Sequence, residues 1–138
     1  MARFSYDGID GVMDSLSAVA QLDDDTRFTI LEAGAAVYER VQKATLIQKF
    51  RQRTGQLVNS IKSKRKGSGT DAAVVIAPTG KRRGGETNMT VAYILEYGSP
   101  RIPASHWMEE ANEAAAEEAL REMTEAWALH VNRHLHNI

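Results

Sequence analysis

The most informative residues of this chain run from Val91 to Trp107 and read VAYILEYGSPRIPASHW. Large apolar side chains surround one glutamate, Glu96, before the chain turns at Gly98-Ser99-Pro100. Glycine tolerates a positive φ, while proline fixes φ and favours an extended residue before it. We therefore predict two regular elements joined by a stiff connector, whose apolar side chains are buried against the rest of the chain.

An alanine- and glutamate-rich segment follows this connector and predicts a long C-terminal helix over residues 105–135. Pro103 and Ser105 are typical of a helix start, and Ser105 can cap the first free amides. An apolar stripe recurs at helical spacing, and it comprises Met108, Ala111, Ala115, Ala119, Leu120, Met123, Trp127, Val131 and Leu135. Because several of these residues are small, another helix can approach this stripe closely.

Two further helices are predicted upstream. Residues 8–22 form an amphipathic pattern of about four turns, and residues 26–53 form a longer pattern with a broad apolar face. Asp23, Asp24 and Asp25 lie between them, where acidic residues suit a helix N-terminus and lack the calcium-loop pattern. Gly55 is the expected stop of the long helix.

The middle of the chain predicts a small sheet. Residues 59–66 alternate, residues 73–76 are rich in β-branched side chains, and a Gly-Ser-Gly loop separates them, so we predict a β-hairpin over residues 59–77. Residues 79–88 form a glycine-rich basic loop. Residues 89–98 are a strand or a short helical turn, which periodicity does not distinguish. The prediction is one α+β domain over residues 1–138: a small antiparallel sheet packed by a long central and a long C-terminal helix, with an additional N-terminal helix.

Bulk composition predicts an ordinary folded protein rather than a membrane or disulfide-stabilised one. The chain has 138 residues, 43% of them hydrophobic, and no cysteine. No apolar run reaches the roughly 18 residues that span a bilayer, and the N-terminus lacks the apolar core of a signal peptide. We expect synthesis in the cytoplasm of a cell.

Charge is distributed in blocks that the net charge of −1 conceals. Residues 1–39 hold eight acidic and two basic side chains. Residues 40–83 hold one acidic and twelve basic side chains, and residues 84–138 hold nine acidic and three basic ones. This predicts electrostatic polarity within the monomer or across an assembly. Two predicted loops carry seven of the cations: Lys62, Lys64, Arg65 and Lys66 on one, and Lys81, Arg82 and Arg83 on the other. These cations could bind DNA phosphates, with counterion release as the driving force. Alternatively, they could pair with acidic helices of a neighbouring subunit.

Catalytic and metal-binding signals are weak. The chain has no nucleophile elbow, no phosphate-binding loop and no His-Glu-x-x-His motif. Glu96 beside two tyrosines could act as a general acid or base. Because no catalytic partner lies nearby in the sequence, the simpler role is to bind backbone amides or a cation of a neighbouring subunit. His130 and His134, with His136 nearby, have a spacing that can bind a transition metal, although interaction with helix C-terminal carbonyls is simpler. We predict no enzyme activity, cofactor or metal.

Three short motifs together resemble the head–tail joining, or tail-completion, proteins of long-tailed bacteriophages. TGQLVNSI at residues 54–61 resembles the family element TG-x-L-x-x-S-I, and AYILEYGS at residues 92–99 resembles YA-x-x-x-E-[FY]-G-[TS]. IPASHWMEEA at residues 102–111 is similar to xPA-x-P-[FW]-[LM]-x-x-A, with Ser105-His106 where the family commonly has Arg-Pro. The resemblance covers residues from about 26 to 125.

The resemblance implies a non-enzymatic virion protein of the phage neck, made in the bacterial cytoplasm, that forms a ring, usually a hexamer, and contacts other neck and tail proteins. Tyr93, Leu95, Tyr97 and Trp107 are then expected to anchor the last helix to the sheet. Ten residues carry the expected interface or structural motifs: Thr54, Gly55, Leu57, Ser60, Tyr93, Glu96, Tyr97, Gly98, Pro103 and Trp107. The seven basic loop residues are candidate contacts to duplex DNA in a channel. Three alternatives stay open: a tail-terminator role in the same neck, a stand-alone nucleic-acid-binding module, and a small hydrolase built around Glu96.

Overall fold

The computed structural model describes residues 22–51, 55–82 and 84–136, with side chains as far as Arg133. The predicted N-terminal helix lies outside these residues, apart from Leu22. The described chain forms four α-helices and two strands in the following order: α1 (Asp24–Lys49), α2 (Gln56–Ser60), β1 (Ile61–Lys66), a 3-10 turn (Gly69–Asp71), β2 (Ala73–Pro78), α3 (Asn88–Tyr97) and α4 (Trp107–His136). The predicted α+β class, with a small antiparallel sheet and long central and C-terminal helices, is confirmed.

Helix α1 begins at a side-chain cap. The Asp23 carboxylate accepts a hydrogen bond from the Thr26 amide nitrogen at 2.7 Å, and Asp24 and Asp25 occupy the first turn. Hydrogen bonding from Thr26 holds the pKa of Asp23 below its ordinary value of 3.8. The cap therefore stabilises the helix above that pH, and this contribution is lost as the pH falls through the lowered pKa.

The two strands pair as an antiparallel hairpin with a distinct inner and outer face. Opposite residues share a face, so the pairs Ile61–Pro78, Ser63–Ile76 and Arg65–Val74 form one face and the pairs Lys62–Ala77, Lys64–Val75 and Lys66–Ala73 form the other. The first face packs on α1, where Ile61 is buried and Arg65 lies over the Phe28 ring. The second face is exposed.

The segment over residues 89–98, for which strand and helix were both open, is helical. The Thr87 side chain accepts from the Thr90 amide nitrogen at 3.1 Å and so caps the first turn of α3. The Asn88 side chain donates to the Thr79 carbonyl at 2.7 Å, which ties the start of α3 to the end of the hairpin. Local capping thus settles a choice that hydrophobic periodicity leaves open.

The core consists of two clusters. The first joins the four helices and β1 near the end of α1 and contains Leu46, Leu57, Val58, Ile61, Ala92 and Trp107. In the second, Ala115 and Ala119 of α4 pack against Val37 of α1. Small alanine side chains let the two long helices approach closely, as the stripe in the sequence predicted.

Opposite charges from the sequence blocks meet at the edges of the contact between α1 and α4. Arg40 pairs with Glu118 at 2.5 Å and Lys49 with Glu110 at 2.6 Å. The acidic C-terminal block is therefore partly balanced within one chain. None of the helices in the described segments combines the length and the apolarity that a membrane-spanning helix needs.

Candidate assembly interface

Residues 98–106 connect α3 to α4, and we call them the hinge. Its first residue, Gly98, has φ 81° and ψ 176°, a backbone region that is essentially restricted to glycine. A methyl group on Gly98 would lie 2.7 Å from the Ala104 amide nitrogen and 2.9 Å from the Ile102 carbonyl oxygen. The two arms of the hinge therefore meet backbone to backbone, with no room for a side chain between them.

The tip of the hinge is a tight turn. The Ser99 amide donates to the Ile102 carbonyl at 2.8 Å, and the Ile102 amide donates back to the Ser99 carbonyl at 3.2 Å. The Ser99 hydroxyl also accepts from the amides of Arg101 and Ile102. With φ of Pro100 fixed by its ring, this turn has little conformational freedom.

The returning arm of the hinge satisfies carbonyls at the end of α3. The Ser105 amide donates to the Leu95 carbonyl at 3.0 Å, and the His106 amide donates to the Glu96 carbonyl at 3.1 Å. Helix ends leave such carbonyls without intrahelical partners. The hinge thus closes one helix and positions the start of the next.

Glu96 caps α4 from the neighbouring helix. Its side chain is only 5% exposed, and it accepts from the amide nitrogen of Met108 at 2.6 Å and from that of Glu109 at 3.3 Å. These amides belong to the first turn of α4, where free N–H groups and the helix dipole favour a negative charge. Of the roles that the sequence left open for Glu96, the geometry favours bridging backbone amides of its own chain.

Trp107 fixes the first residue of α4 in the core. Its side chain has no exposed surface, and its indole nitrogen donates to the Ala92 carbonyl at 3.2 Å. The Ser105 hydroxyl accepts from the Trp107 amide at 3.3 Å, which is the cap expected from the sequence. Pro103 lies exposed on the returning arm of the hinge.

The expectation that Tyr93 and Tyr97 anchor the last helix is wrong. They are 54% and 66% exposed and stack on each other with ring centroids 5.5 Å apart. Ala92 and Glu96, one position earlier in each case, occupy the buried face of α3, so each tyrosine is rotated by about 100° away from that face. We call Tyr93 and Tyr97 the tyrosine pair. Leu95 is partly buried and does pack against the first core cluster.

The motif at residues 54–61 lies next to the motif at residues 102–111 in space. Gly55 adopts a left-handed conformation before α2, with φ 71°, and Leu57 is buried in the same cluster as Trp107. The Ser60 hydroxyl donates to the Leu57 carbonyl at 2.6 Å and so ends α2 where β1 begins. Thr54 lies outside the described residues. Leu57 and Ser60 thus have positioning roles inside the fold.

The candidate DNA contacts separate into different environments. Lys62 to Lys66 lie in strand β1, where each residue pairs with β2. The structure thus agrees with the predicted hairpin, and these side chains are not on a loop. Lys62, Lys64 and Lys66 project from the outer face of the sheet, and we call them the lysine row.

Arg65 points to the inner face, where it bonds to Glu32 at 2.6 Å and to Asp25 at 3.3 Å. These carboxylates, Glu32 foremost, raise the pKa of Arg65. Two carboxylates of α1 thus engage its guanidinium group, and this geometry does not support the prediction that Arg65 contacts DNA. Lys81 is exposed, the Arg82 side chain donates to the Asn88 side chain at 3.2 Å, and Arg83 lies outside the described residues.

His106 is a site residue that sequence reasoning missed. It has φ 52°, and its Nδ1 atom lies 3.9 Å from Glu96 and 3.7 Å from Glu109. Together these residues form a cluster with metal-ligand atom types. The Glu96 carboxylate in this cluster already accepts two backbone amide protons at the start of α4, so it is engaged within the fold. The departure at Ser105-His106 was the available signal, because a proline cannot adopt this φ.

Exposed, stacked aromatic side chains beside a rigid connector are typical of surfaces that bind other proteins. Such a surface is compatible with a structural protein that works by contact with other proteins. Comparison with known families gives the more specific identification: the family described as "Bacteriophage HK97-gp10, putative tail-component" matches residues 10–98. The chain belongs to this HK97-gp10-like family of bacteriophage tail components.

The family assignment agrees with the resemblance to head–tail joining proteins and implies a place in the phage virion. The matched segment ends at Gly98, the first residue of the hinge, and includes the tyrosine pair and Glu96. The same comparisons found no match among curated proteins and none among solved structures.

Proposed function

We propose that this protein completes the phage tail and joins it to the DNA-filled head, as one subunit of a hexameric ring in the neck. The observation that carries this proposal is the exposed tyrosine pair at the end of α3, beside a rigid hinge, in a chain that belongs to a family of tail components. Contiguous exposed apolar surface of this kind marks sites that bind other proteins.

The surface charge of the chain supports assembly from identical copies. The lysine row lies on the outer face of the sheet, whereas Glu113 and Glu117 are exposed on α4. A ring requires a heterologous contact, in which two different surfaces of the same chain meet. Opposite charges on different elements steer such a contact and fix its orientation.

Deletion of the gene tests the joining role. A phage that lacks this chain should accumulate DNA-filled heads and separate tails of normal length, and expression of the wild-type chain in trans should restore joined particles. Electron microscopy counts the three species. Joined, infectious particles in the absence of the chain would contradict the proposal. Tails of uncontrolled length would instead indicate the tail-terminator role.

The lysine row is the feature that favours a contact with DNA. Its three side chains alternate along β1, so neighbouring ones advance by about 6.8 Å along one exposed face. They lie beside Ala73, Val75 and Ala77, whose short side chains leave the ammonium groups accessible. Lysines arranged in this way bind phosphates without reading base sequence. In the ring, we propose that the lysine row faces the channel and provides weak, sequence-independent attraction to passing duplex DNA.

Substitution of the lysine row tests this contact. Changing Lys62, Lys64 and Lys66 to glutamine should lower the slope of log affinity against log salt by about 3, since each phosphate contact contributes about 0.9. Duplex DNA binding measured by fluorescence anisotropy at several salt concentrations gives the slope. Arg65→Gln is the matched control, because Arg65 points to the inner face, and its slope should equal that of the wild type. An unchanged slope in the triple variant would contradict the assignment.

The hydrolase alternative receives no support from the geometry around Glu96. Both carboxylate oxygens accept backbone amides of α4, and the side chain is buried. A general acid or base must reach a substrate proton. We therefore propose a structural role for Glu96.

A further inference from the structure

We propose that the tyrosine pair of one copy docks into a groove along α1 of the next copy, and that this is the contact that builds the ring. The inference rests on the proposed ring and identifies which two surfaces meet in it. The groove has a volume of about 480 Å³ and is lined by six residues of α1: Ala36, Glu39, Arg40, Lys43, Ala44 and Ile47.

The groove is an open surface depression, in which two alanines lie among larger side chains. Ala36 and Ala44 are exposed and lie eight residues apart on α1, which corresponds to about 12 Å along the helix axis. Ile47, at one end, adds a large aliphatic side chain that is 58% exposed. The outer face of α1 therefore offers an open apolar surface with room for inserted side chains.

The tyrosine pair has the size and rigidity that this groove requires. Its two rings are 5.5 Å apart, so both fit within the length between Ala36 and Ala44. The rings are already stacked, and the hinge holds the end of α3 that carries them. Little side-chain entropy is therefore lost on docking, which favours affinity. Ile102, in the hinge, is a further exposed apolar side chain, at 42%.

Charge complementarity favours aromatic side chains as the occupant of the groove. Arg40 and Lys43 flank the hollow, and cations are attracted to the faces of tyrosine rings. Glu39 offers a carboxylate that can accept from a tyrosine hydroxyl group. Arg40 and Lys43 have ion-pair partners, Glu118 and Glu39, but exposed pairs of this kind are weak and can rearrange.

We infer that the occupant of the groove is a second copy of this chain, in a head-to-tail contact rather than a two-fold symmetric dimer. The protruding surface belongs to α3 and the hinge, whereas the recessed surface belongs to α1. A contact between two different surfaces of the same chain is heterologous, and repetition of it closes a ring when the rotation allows. The other candidate occupant of the groove is the N-terminal segment of the same chain, which the experiment must distinguish.

Cysteine crosslinking tests the contact directly, because the natural chain contains no cysteine. Thr90→Cys lies one turn before Tyr93 on the same side of α3, and Ala36→Cys and Ala44→Cys lie in the groove. We expect a short thiol–thiol crosslinker to join Thr90→Cys to Ala36→Cys or Ala44→Cys on different chains, in tails assembled in phage-infected cells. A chain that carries Thr90→Cys together with one groove cysteine should give a ladder of crosslinked oligomers, and the largest of them should contain as many chains as the ring.

Matched controls make the result specific. Ala116→Cys, exposed on α4, should give at least tenfold less crosslink with Thr90→Cys than the groove cysteines give. Tyr93→Ala with Tyr97→Ala should reduce the groove crosslink by at least tenfold, while circular dichroism shows an unchanged fold, since both side chains are exposed.

Three results would overturn the inference. The first is a groove crosslink no stronger than that of the Ala116→Cys control in particles that contain the chain. The others are crosslinks within one chain, or a crosslink between Ala44→Cys and Leu16→Cys in a monomer, which would place the N-terminal segment in the groove. The first of these leaves the joining role intact, whereas normal joining without the chain refutes that role independently.

Discussion

Glu96→Ala should lower the free energy of unfolding by about 3 kcal/mol, because two partly buried hydrogen bonds to one carboxylate are lost together. The carboxylate accepts from the Met108 and Glu109 amides at the start of a helix of 30 residues. Without it, these two amides lose the acceptor that caps them. Glu96→Gln keeps one carbonyl oxygen as an acceptor and should cost about half as much.

Urea unfolding followed by circular dichroism measures this loss. Glu109→Gln is the matched control, since Glu109 lies in the same helical turn but has an exposed side chain, and it should change stability by no more than about 0.5 kcal/mol. Equal effects of the changes at Glu96 and Glu109 would show that Glu96 does not cap α4. The hydrolase alternative predicts instead that Glu96→Gln keeps full stability and assembly.

Gly98→Ala should also destabilise the protein by about 3 kcal/mol, because backbone strain and a steric clash add. The new methyl group would lie 2.7 Å from a backbone nitrogen that cannot move independently of the hinge. We expect the returning arm to shift and the amide bonds of Ser105 and His106 to α3 to weaken. Assembly should fail at temperatures where the rest of the fold persists.

Gly84→Ala separates the two causes. Gly84 also has a positive φ, of 109°, but a methyl group there would have no atom within 4 Å. The Gly84→Ala variant therefore has the backbone strain without the steric clash, and its free energy of unfolding should be lower by about 1 kcal/mol. Thermal unfolding of both variants gives the difference, and a Gly98→Ala protein as stable as Gly84→Ala would mean that the hinge arms are not in close contact.

The sequence located the hinge and the long helices because glycine, proline and alanine act locally. Gly98, Pro100 and Ser105 have the turn and cap geometry that their residue types favour. The stripe through Ala115 and Ala119 predicted a close helix contact, and the structure places α1 there. In each of these cases the deciding interaction lies within a few residues or follows from one face of a helix.

Other features depended on partners far away in sequence. The tyrosines of α3 could not be oriented until it was settled that the segment is helical and that Ala92 and Glu96 face the core. Arg65 was grouped with its lysine neighbours, but alternation along β1 directs it towards Glu32, 33 residues earlier. The capping of α4 by Glu96 also depends on the hinge folding back, which hydrophobic patterning does not predict.

An electron cryomicroscopy reconstruction of the neck in intact virions tests the central claim most directly. The account predicts a closed ring of copies of this chain between the head connector and the tail tube, with the tyrosine pair at each subunit boundary and the lysine row towards the channel. A junction without this chain, or copies located elsewhere on the virion, would contradict it.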